Sequence, residues 1–246
     1  MHGRRPDCER RQILVTGWLH MTLRSSPKLV NSRSGRIAAR SRQRRQPAVT
    51  RGRILGAATA EFSAKGLAGA RVDEIARRAS VSKRMLYHYF GNKEALWLAV
   101  LEQAYLHIRS EERELDVRRL SPIQGMRRLI EFTLSYDAAH PEFISLLLSE
   151  NLQRARYLRQ SRKVCELHTS LLGVIEDLLE RGCRAGVFRA GVDPAELYIT
   201  IAALGFFYFS NIHTLSAIFG RDFNSAPARE QHLRHTVDVI LGYLRP

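Results

Sequence analysis

The stretch VDEIARRASVSKRMLYHYF, residues 72–90, determines the fold prediction because it contains two short helical patterns joined by a turn. Ser80-Val81-Ser82 forms the turn, and Ser82 is the expected N-cap of the second helix. Ala76 is small where two helices have to cross closely. The apolar positions of the two facing stripes are Ile75, Ala76, Ala79, Val81, Leu86 and Tyr89. This pattern predicts a helix-turn-helix, a pair of short helices packed at a steep angle.

The second helix of this pair leaves a polar and cationic face pointing outward, formed by Lys83, Arg84, Tyr87 and His88. Such side chains suit a helix that lies in the major groove of DNA with phosphates on either flank. Short amphipathic helix pairs are also common in all-α proteins, where outward cations are simply solvated. The spacing by itself leaves both interpretations open.

Helical patterns continue through the rest of the chain, which predicts an all-α fold. The first helix is expected to begin at Thr50 as N-cap and to end at Gly66. Further helices are predicted from Asn92 through Ile108 and then at 122–138, 141–156, 160–184, 194–219 and 228–244. The predicted domains are a disordered basic extension (1–46), a three-helix DNA-binding domain (47–96) and a larger helical ligand-binding and dimerisation domain (97–246).

The charge of the chain indicates a polyanionic partner, either nucleic acid or an anionic membrane surface. Lys and Arg number 39 against 24 Asp and Glu, which gives a formal net charge of +15. Residues 1–50 carry twelve of the cations against only Asp7 and Glu9. The amino-terminal extension therefore accounts for most of the excess, and it could lie along phosphates as a basic arm.

Residues 197–220 contain no Asp, Glu, Lys or Arg and are long enough to span a bilayer. Asn211 and His213 interrupt the second half of the stretch. A helix that is apolar all round is either a core helix of a larger protein or a membrane span. We interpret this one as a buried or dimer-interface helix and predict no membrane association, with a membrane span as the alternative.

The cysteine count and the absence of catalytic motifs restrict the remaining functional classes. Cys8, Cys165 and Cys183 are far apart, and such an odd, sparse set indicates a reducing, cytoplasmic location. The sequence shows no Gly-rich phosphate loop, GxSxG, HExxH or clustered Cys and His. We therefore expect no enzymatic activity, no cofactor and no metal site.

The segment from Thr50 to Val100 resembles the amino-terminal domain of TetR-family regulators. The resemblance rests on an opening helix, on the V-x-x-I-A-x-x-A-x-V-S pattern of residues 72–82 and on the run LYHYF (86–90) followed by Lys93-Glu94. The opening helix contributes Ile54, Ala57, Phe62 and Gly66. Two positions differ from the usual family pattern: Arg71 replaces a capping Thr, and Ser80 replaces a turn Gly. Ser80 is therefore expected to tolerate a strained backbone.

The resemblance implies a role in DNA binding for particular residues. Arg84, Met85 and Lys83 fall near the base-reading end of the recognition helix, whose N-cap is Ser82, and Tyr87 and His88 resemble phosphate or base contacts. Lys93 resembles a phosphate contact at the start of the next helix. Thr50 and Arg51 would approach the DNA backbone on the flank. The partner implied is a pseudo-palindromic operator in double-stranded DNA, bound by a homodimer.

The resemblance also implies that the carboxy-terminal part dimerises through its last two long helices and holds a small-molecule effector. Residues 205–223 and 236–246 are similar to regulators of pyrimidine and nitrogen-heterocycle catabolism, which suggests a small, planar, polar effector. Candidate ligand-binding residues are Glu150, Asn151, His168, Tyr208 and Asn211, with His213 beside them. Each could instead be a satisfied polar residue of the core or interface.

The function expected from this resemblance is that of a transcriptional repressor released from its operator by the effector. An effector-independent regulator and a non-specific architectural DNA-binding protein are the alternatives. The size of the carboxy-terminal part favours the repressor over an architectural protein.

Overall fold

The computed structural model describes the backbone of residues 32–246 and the side chains of residues 47–246. The described residues form ten α-helices and no strand, which confirms the all-α prediction. The helices are α1 (Ser32–Gly69), α2 (Val72–Arg78), α3 (Lys83–Phe90), α4 (Lys93–Arg113), α5 (Pro122–Ala139), α6 (Pro141–Leu152), α7 (Arg162–Arg184), α8 (Pro194–Ser210), α9 (Ile212–Phe219) and α10 (Ala226–Leu244). Two short 3-10 turns occupy Val117–Arg119 and Leu158–Gln160. The expectations for residues 1–31, Cys8 among them, lie outside the described residues.

Helix α1 begins earlier than its sequence pattern predicts. Thr50 lies inside the helix and does not cap it, so its prediction as an N-cap is wrong. The backbone is already helical from Ser32, where a disordered segment up to residue 46 was expected. Arg, Ala and Gln, which are frequent in residues 36–46, have high helix propensity, and this explains the difference. At Gly66 the backbone leaves helical geometry with φ +65°, as the predicted helix end requires.

Capping residues set most of the other helix boundaries where the sequence places them. The Asp193 carboxylate accepts hydrogen bonds from the backbone N–H groups of Ala195 and Glu196 at the start of α8. Ser121 and Ser161 cap α5 and α7 in the same way. These bonds satisfy N–H groups that have no partner inside the helix.

The predicted single helix 194–219 is interrupted at Asn211. The Asn211 side-chain amide donates to the Phe207 carbonyl, and α9 continues from Ile212 at an angle of 66° to α8. Such side-chain competition for helix carbonyls is common for Asn at helix ends. Among the described helices, none alone has the length and hydropathy of a membrane span, although the bent pair α8–α9 together does.

Beside a small cluster of Ile108, Tyr136 and Phe143, two large apolar cores organise the described fold. One joins α1–α4 with Leu146 of α6, and the other joins α5, α7, α8 and α10. Helix α4 gives Trp97 to the first core, where the indole meets the Phe62 ring edge-on with centroids 5.1 Å apart. The same helix carries buried Ile108 and Arg109 near its other end. The predicted domain boundary at residues 96–97 falls inside α4 and stays a prediction.

Candidate nucleic-acid interface

The turn between α2 and α3 has the geometry of a helix-turn-helix. The backbone N–H groups of Ser80 and Val81 donate to the carbonyls of Arg77 and Ala76, closing the turn at 3.1 and 3.0 Å. Ser80 adopts φ +52°, in the left-handed region that favours glycine. The expected strain at this departure from the family pattern is therefore present.

Helix α3 separates an inward apolar face from an outward polar face. Leu86 is fully buried and Phe90 nearly so, while the Ser82 hydroxyl accepts the Met85 N–H at 3.1 Å and fixes the start of the helix. Met85 is 43% exposed and Tyr87 38% exposed. The outward face therefore holds five of the residues predicted to contact DNA: Lys83, Arg84, Met85, Tyr87 and His88.

An ion pair joins the two helices of the motif. The Lys83 ammonium lies 3.0 Å from the Asp73 carboxylate at the start of α2, and this carboxylate raises the pKa of Lys83. The neighbouring acid Glu74 pairs with Arg77 and Arg78, which lower its pKa to about 2. The two acids of α2 face four cations in α2 and α3, namely Arg77, Arg78, Lys83 and Arg84, so the motif keeps a net positive charge that favours phosphate.

The predicted flanking contacts occupy three different environments. Arg51 is exposed, and its guanidinium lies over the Phe90 ring, 5.1 Å from the centroid. Thr50 is half-buried in α1. Lys93 is partly buried at the start of α4 and donates to the Ala68 carbonyl at 3.3 Å. The start of α4 therefore already carries a cation, held against the end of α1.

A buried carboxylate that the sequence analysis missed positions α2. Glu61 of α1 is fully buried, binds the Lys65 ammonium at 2.7 Å and accepts the backbone N–H of Arg71 at 3.3 Å. The hydrogen bond from Lys65 lowers the pKa of Glu61. Arg71 has no side-chain cap to offer at the start of α2, so Glu61 supplies an acceptor there. Its place seven residues after Ile54, on the apolar stripe of α1, is the signal that could have revealed it.

The five predicted ligand-binding residues do not converge on one cavity. Glu150 is buried and accepts hydrogen bonds from the Trp97 indole and from two backbone N–H groups. Asn151 and Asn211 donate to carbonyls of their own helices. Tyr208 donates to the Phe223 carbonyl and stacks on His232. None of the five lines any of the three cavities described below, so their role as ligand contacts stays a prediction.

His168 belongs to an aromatic cluster that adjoins the buried side chain of Arg109, which the sequence did not indicate. Its ring contacts those of Tyr105 and Tyr198, and Arg109 lies over the Tyr198 ring at 5.8 Å. Arg109 is 4% exposed, and one of its terminal nitrogens (NH1) donates to Glu112 at 2.7 Å. Within the described structure its Nε has no hydrogen-bond partner.

Burial is the main cause of the pKa shifts of the acidic groups around Arg109. Burial raises the pKa of Asp137 to about 7, and the positive charge of Arg109 opposes the shift only in part. Burial likewise raises the pKa of Tyr105 to about 12. The pKa of Glu112 is also raised by burial and is lowered in part by Arg109.

Three cavities of the described structure differ in position and size. The first, of about 270 Å³, lies between α4, α5 and α7 and combines apolar walls with five charged residues, Arg109, Glu112, Arg113, Asp116 and Arg118. Its lining includes Arg109, Glu112, Leu129, Leu167, Leu171 and Val174. The second, of about 520 Å³, is a more open depression around the loop between α7 and α8. The third, of about 200 Å³, lies between α1, α4, α5 and α6.

The helix-turn-helix and its outward cationic face define a DNA-binding transcriptional regulator. Residues 54–100 match the family model described as bacterial regulatory proteins, tetR family, and residues 122–240 match that of the tetracyclin repressor-like C-terminal domain. Together these models cover more than half of the chain. The chain belongs to the TetR family of bacterial transcriptional regulators.

Relatives and solved structures agree with this membership. The transcriptional repressor NicS of Pseudomonas putida is 36% identical over 196 residues, which cover 80% of this chain and 92% of NicS. The transcriptional regulator RutR of Escherichia coli is 27% identical over 216 residues, 86% of this chain and 98% of RutR. A transcriptional regulator of Streptomyces coelicolor superposes with a TM-score of 0.60 at 27% identity, covering 80% of this chain and 99% of that structure.

Proposed function

We propose that the chain is a homodimeric repressor that binds a pseudo-palindromic operator and is released from it by a small-molecule effector. The observation that carries the DNA-binding part is the outward face of α3, which presents Lys83, Arg84, Met85, Tyr87 and His88. Arginine is well suited to bidentate hydrogen bonds with guanine in the major groove, and the other polar groups to phosphates and base edges. The name of NicS as a repressor supports the direction of regulation.

Exposed apolar side chains on the last long helices support dimerisation. Ile199 and Phe207 of α8 are 55% and 60% exposed, and Val239 and Tyr243 of α10 are 43% and 50% exposed. Large apolar patches of this kind on a folded protein mark interaction surfaces. A two-fold pairing of α8 and α10 would form a four-helix interface and place two α3 helices about one turn of DNA apart.

The cavity that contains Arg109 is the proposed effector site. A buried guanidinium with an unpartnered Nε–H favours a ligand that offers a hydrogen-bond acceptor. Leu129, Leu167 and Leu171 supply apolar walls for the rest of the molecule. An effector bound here would contact the distal part of α4, whose proximal part belongs to the core of the DNA-binding helices. Ligand binding would then favour a conformer with a different spacing of the two α3 helices.

The decisive experiment is a titration of the purified protein lacking residues 1–46 against its own upstream intergenic DNA and a scrambled control at physiological salt. Tight binding to the upstream DNA with weak binding to the control supports a sequence-specific regulator. Equal, weak binding to both favours an architectural protein whose affinity comes from the basic extension. The intact chain, titrated in parallel, measures what that extension adds to each affinity.

The effector site is tested by screening compounds for release of the bound DNA. An active compound should lose at least tenfold in potency against Arg109→Met and keep its potency against Arg127→Met, which removes an exposed arginine of α5. Equal potency against both variants would show that the effector binds at a site other than the cavity around Arg109. If no compound releases the protein from DNA that it binds specifically, the effector-independent regulator is the better description.

A further inference from the structure

Two histidines and a glutamate come together where α4 meets the junction of α5 and α6. His107 and Glu111 are one turn apart on α4, and His140 lies at the junction of α5 and α6. One potential ligand atom from each residue lies within 4.8 Å of the others. The His107 Nε2 is 3.3 Å from a Glu111 carboxylate oxygen, and the two imidazole centroids are 5.3 Å apart.

Each imidazole is already oriented by a hydrogen bond on its other nitrogen. The Tyr136 hydroxyl lies 3.0 Å from His107 Nδ1, and a Glu142 carboxylate oxygen lies 2.9 Å from His140 Nδ1. Both rings therefore keep Nε2 for another partner. Histidines that bind a metal through one nitrogen usually donate the other N–H to a carboxylate, carbonyl or similar acceptor, which fixes the tautomer and the ring plane.

We propose that His107, Glu111 and His140 bind one divalent transition-metal ion, with Zn²⁺ as its representative. Imidazole nitrogens favour Zn²⁺, Co²⁺, Ni²⁺ and Cu²⁺ over Mg²⁺ and Ca²⁺, which prefer oxygen ligands. Two histidines and one carboxylate make a three-ligand set that leaves coordination positions open. His107 and Glu111 are 51% and 43% exposed in their side chains, so an ion can reach them from solvent.

The bound ion would link α4 to the α5–α6 junction. Both histidines line the cavity of about 200 Å³, which also reaches Thr59 of α1. Neither they nor Glu111 line the cavity around Arg109, so the metal site is distinct from the proposed effector site. Sequence spacing gave no sign of it, because His107 lies in α4 and His140 lies at the α5–α6 junction, and the two meet only in the folded chain.

The test is calorimetric titration of the metal-free, full-length protein with Zn²⁺, carried out on the Cys8→Ser/Cys165→Ser/Cys183→Ser background to remove competing thiols. One Zn²⁺ per chain should bind at this site. His107→Ala and His140→Ala should each weaken this binding by more than about 100-fold, because loss of an outer-shell partner alone typically costs 10–100-fold. Glu142→Gln, which alters only such a partner, should weaken it by about 10-fold or more.

His235→Ala is the matched control, since this exposed histidine of α10 lies outside the cluster; its Zn²⁺ affinity should equal that of the parent. Zn²⁺ should also raise the melting temperature of the parent and of His235→Ala but not of His107→Ala. Melting of the metal-free variants verifies their folding, and Glu111→Gln replaces any that unfolds. Unchanged Zn²⁺ affinity in both histidine variants, or no Zn²⁺ binding by the parent, would overturn the proposal. No DNA enters this experiment, so its failure would leave the proposed repressor function intact.

Discussion

The Trp97 indole N–H donates a 2.7 Å hydrogen bond to the Glu150 carboxylate, which connects α4 to α6 inside the protein. Both side chains are almost fully buried. The other Glu150 oxygen accepts the backbone N–H groups of Tyr157 and Leu158. One carboxylate thus satisfies three donors and shapes the chain after α6. This gives Glu150 a structural task, which is the alternative that the sequence left open beside ligand contact.

Glu150→Ala should lower the free energy of unfolding by about 2–4 kcal/mol, because it leaves buried donors without an acceptor. Chemical denaturation followed by circular dichroism measures the loss. Asn151→Ala is the matched control: its side chain is exposed and bonds only within its own helix, so stability should change by less than about 0.5 kcal/mol. Equal stability of the two variants would contradict the structural role of Glu150.

Arg84→Ala and Lys93→Ala should affect DNA binding in different ways. Loss of Arg84 should weaken operator binding by about 1–3 kcal/mol and leave binding to random DNA nearly unchanged. Loss of Lys93 should weaken binding to both DNAs and reduce the slope of log K against log salt by about one. Fluorescence anisotropy at several salt concentrations separates the effects. Lys163→Ala, an exposed cation on α7, is the control; equal losses on both DNAs for both variants would refute these assignments.

Asp137→Asn should stabilise the protein at neutral pH. The carboxyl is 6% exposed and its pKa is raised to about 7 by burial, so the folded chain holds a proton that the unfolded chain releases near pH 4. As the pH rises from about 4 to about 7, the wild type loses stability relative to the Asn variant, by about 1.4 kcal/mol per pH unit at most. Above that range the difference stays constant, at up to about 4 kcal/mol.

Denaturation of wild type and Asp137→Asn between pH 4.5 and 8 measures this difference, with Glu166→Gln on the surface of α7 as control. The control should show a small difference with no comparable rise. A stability gap between wild type and Asp137→Asn that narrows as the pH increases would have the wrong sign and would refute the shifted pKa.

Ser80→Gly should stabilise the DNA-binding helices by about 1 kcal/mol, because glycine adopts the left-handed conformation of this turn without strain. Ser82→Ala, two residues later, should instead destabilise by about 1 kcal/mol through loss of the N-cap of α3. Thermal melting of both variants tests the pair. If Ser80→Gly is less stable than the wild type, the serine side chain stabilises the protein by more than its left-handed backbone strain destabilises it.

Local signals were sufficient for the part of the fold that reads DNA. The packing stripe of Ile75 and Leu86 and the cap at Ser82 are encoded within a few residues of where they act, and the structure has them as predicted. Helix ends that depend on residues distant in sequence were harder to predict. The chain leaves α6 at Leu152 because Glu150 accepts N–H groups from the following loop, a contact that no periodicity reveals.

Buried charges were the features hardest to predict. Arg109 and Asp137 belong to residue types that are mostly exposed, and their helices show no local sign of the exception. Gly205 of α8 is what allows Asp137 to lie there, since a Cβ on that glycine would come within 2.6 Å of the carboxylate. This close approach of α5 to α8 depends on both helices, so neither sequence segment reveals it alone.

In the proposed switch, helix α4 would act mechanically as a lever. Trp97 and Arg109 are separated by about 18 Å along its axis, at 1.5 Å per residue. A tilt of about 5° around the Trp97 end would displace the Arg109 end by roughly 1.6 Å, a shift of the size seen at helix interfaces in switching proteins. Since a helix transmits such a tilt as a nearly rigid body, a small change in cavity volume at one end suffices to reorient the other. The displacement that a given tilt produces at the Arg109 end would then depend on the length of α4 between Trp97 and Arg109.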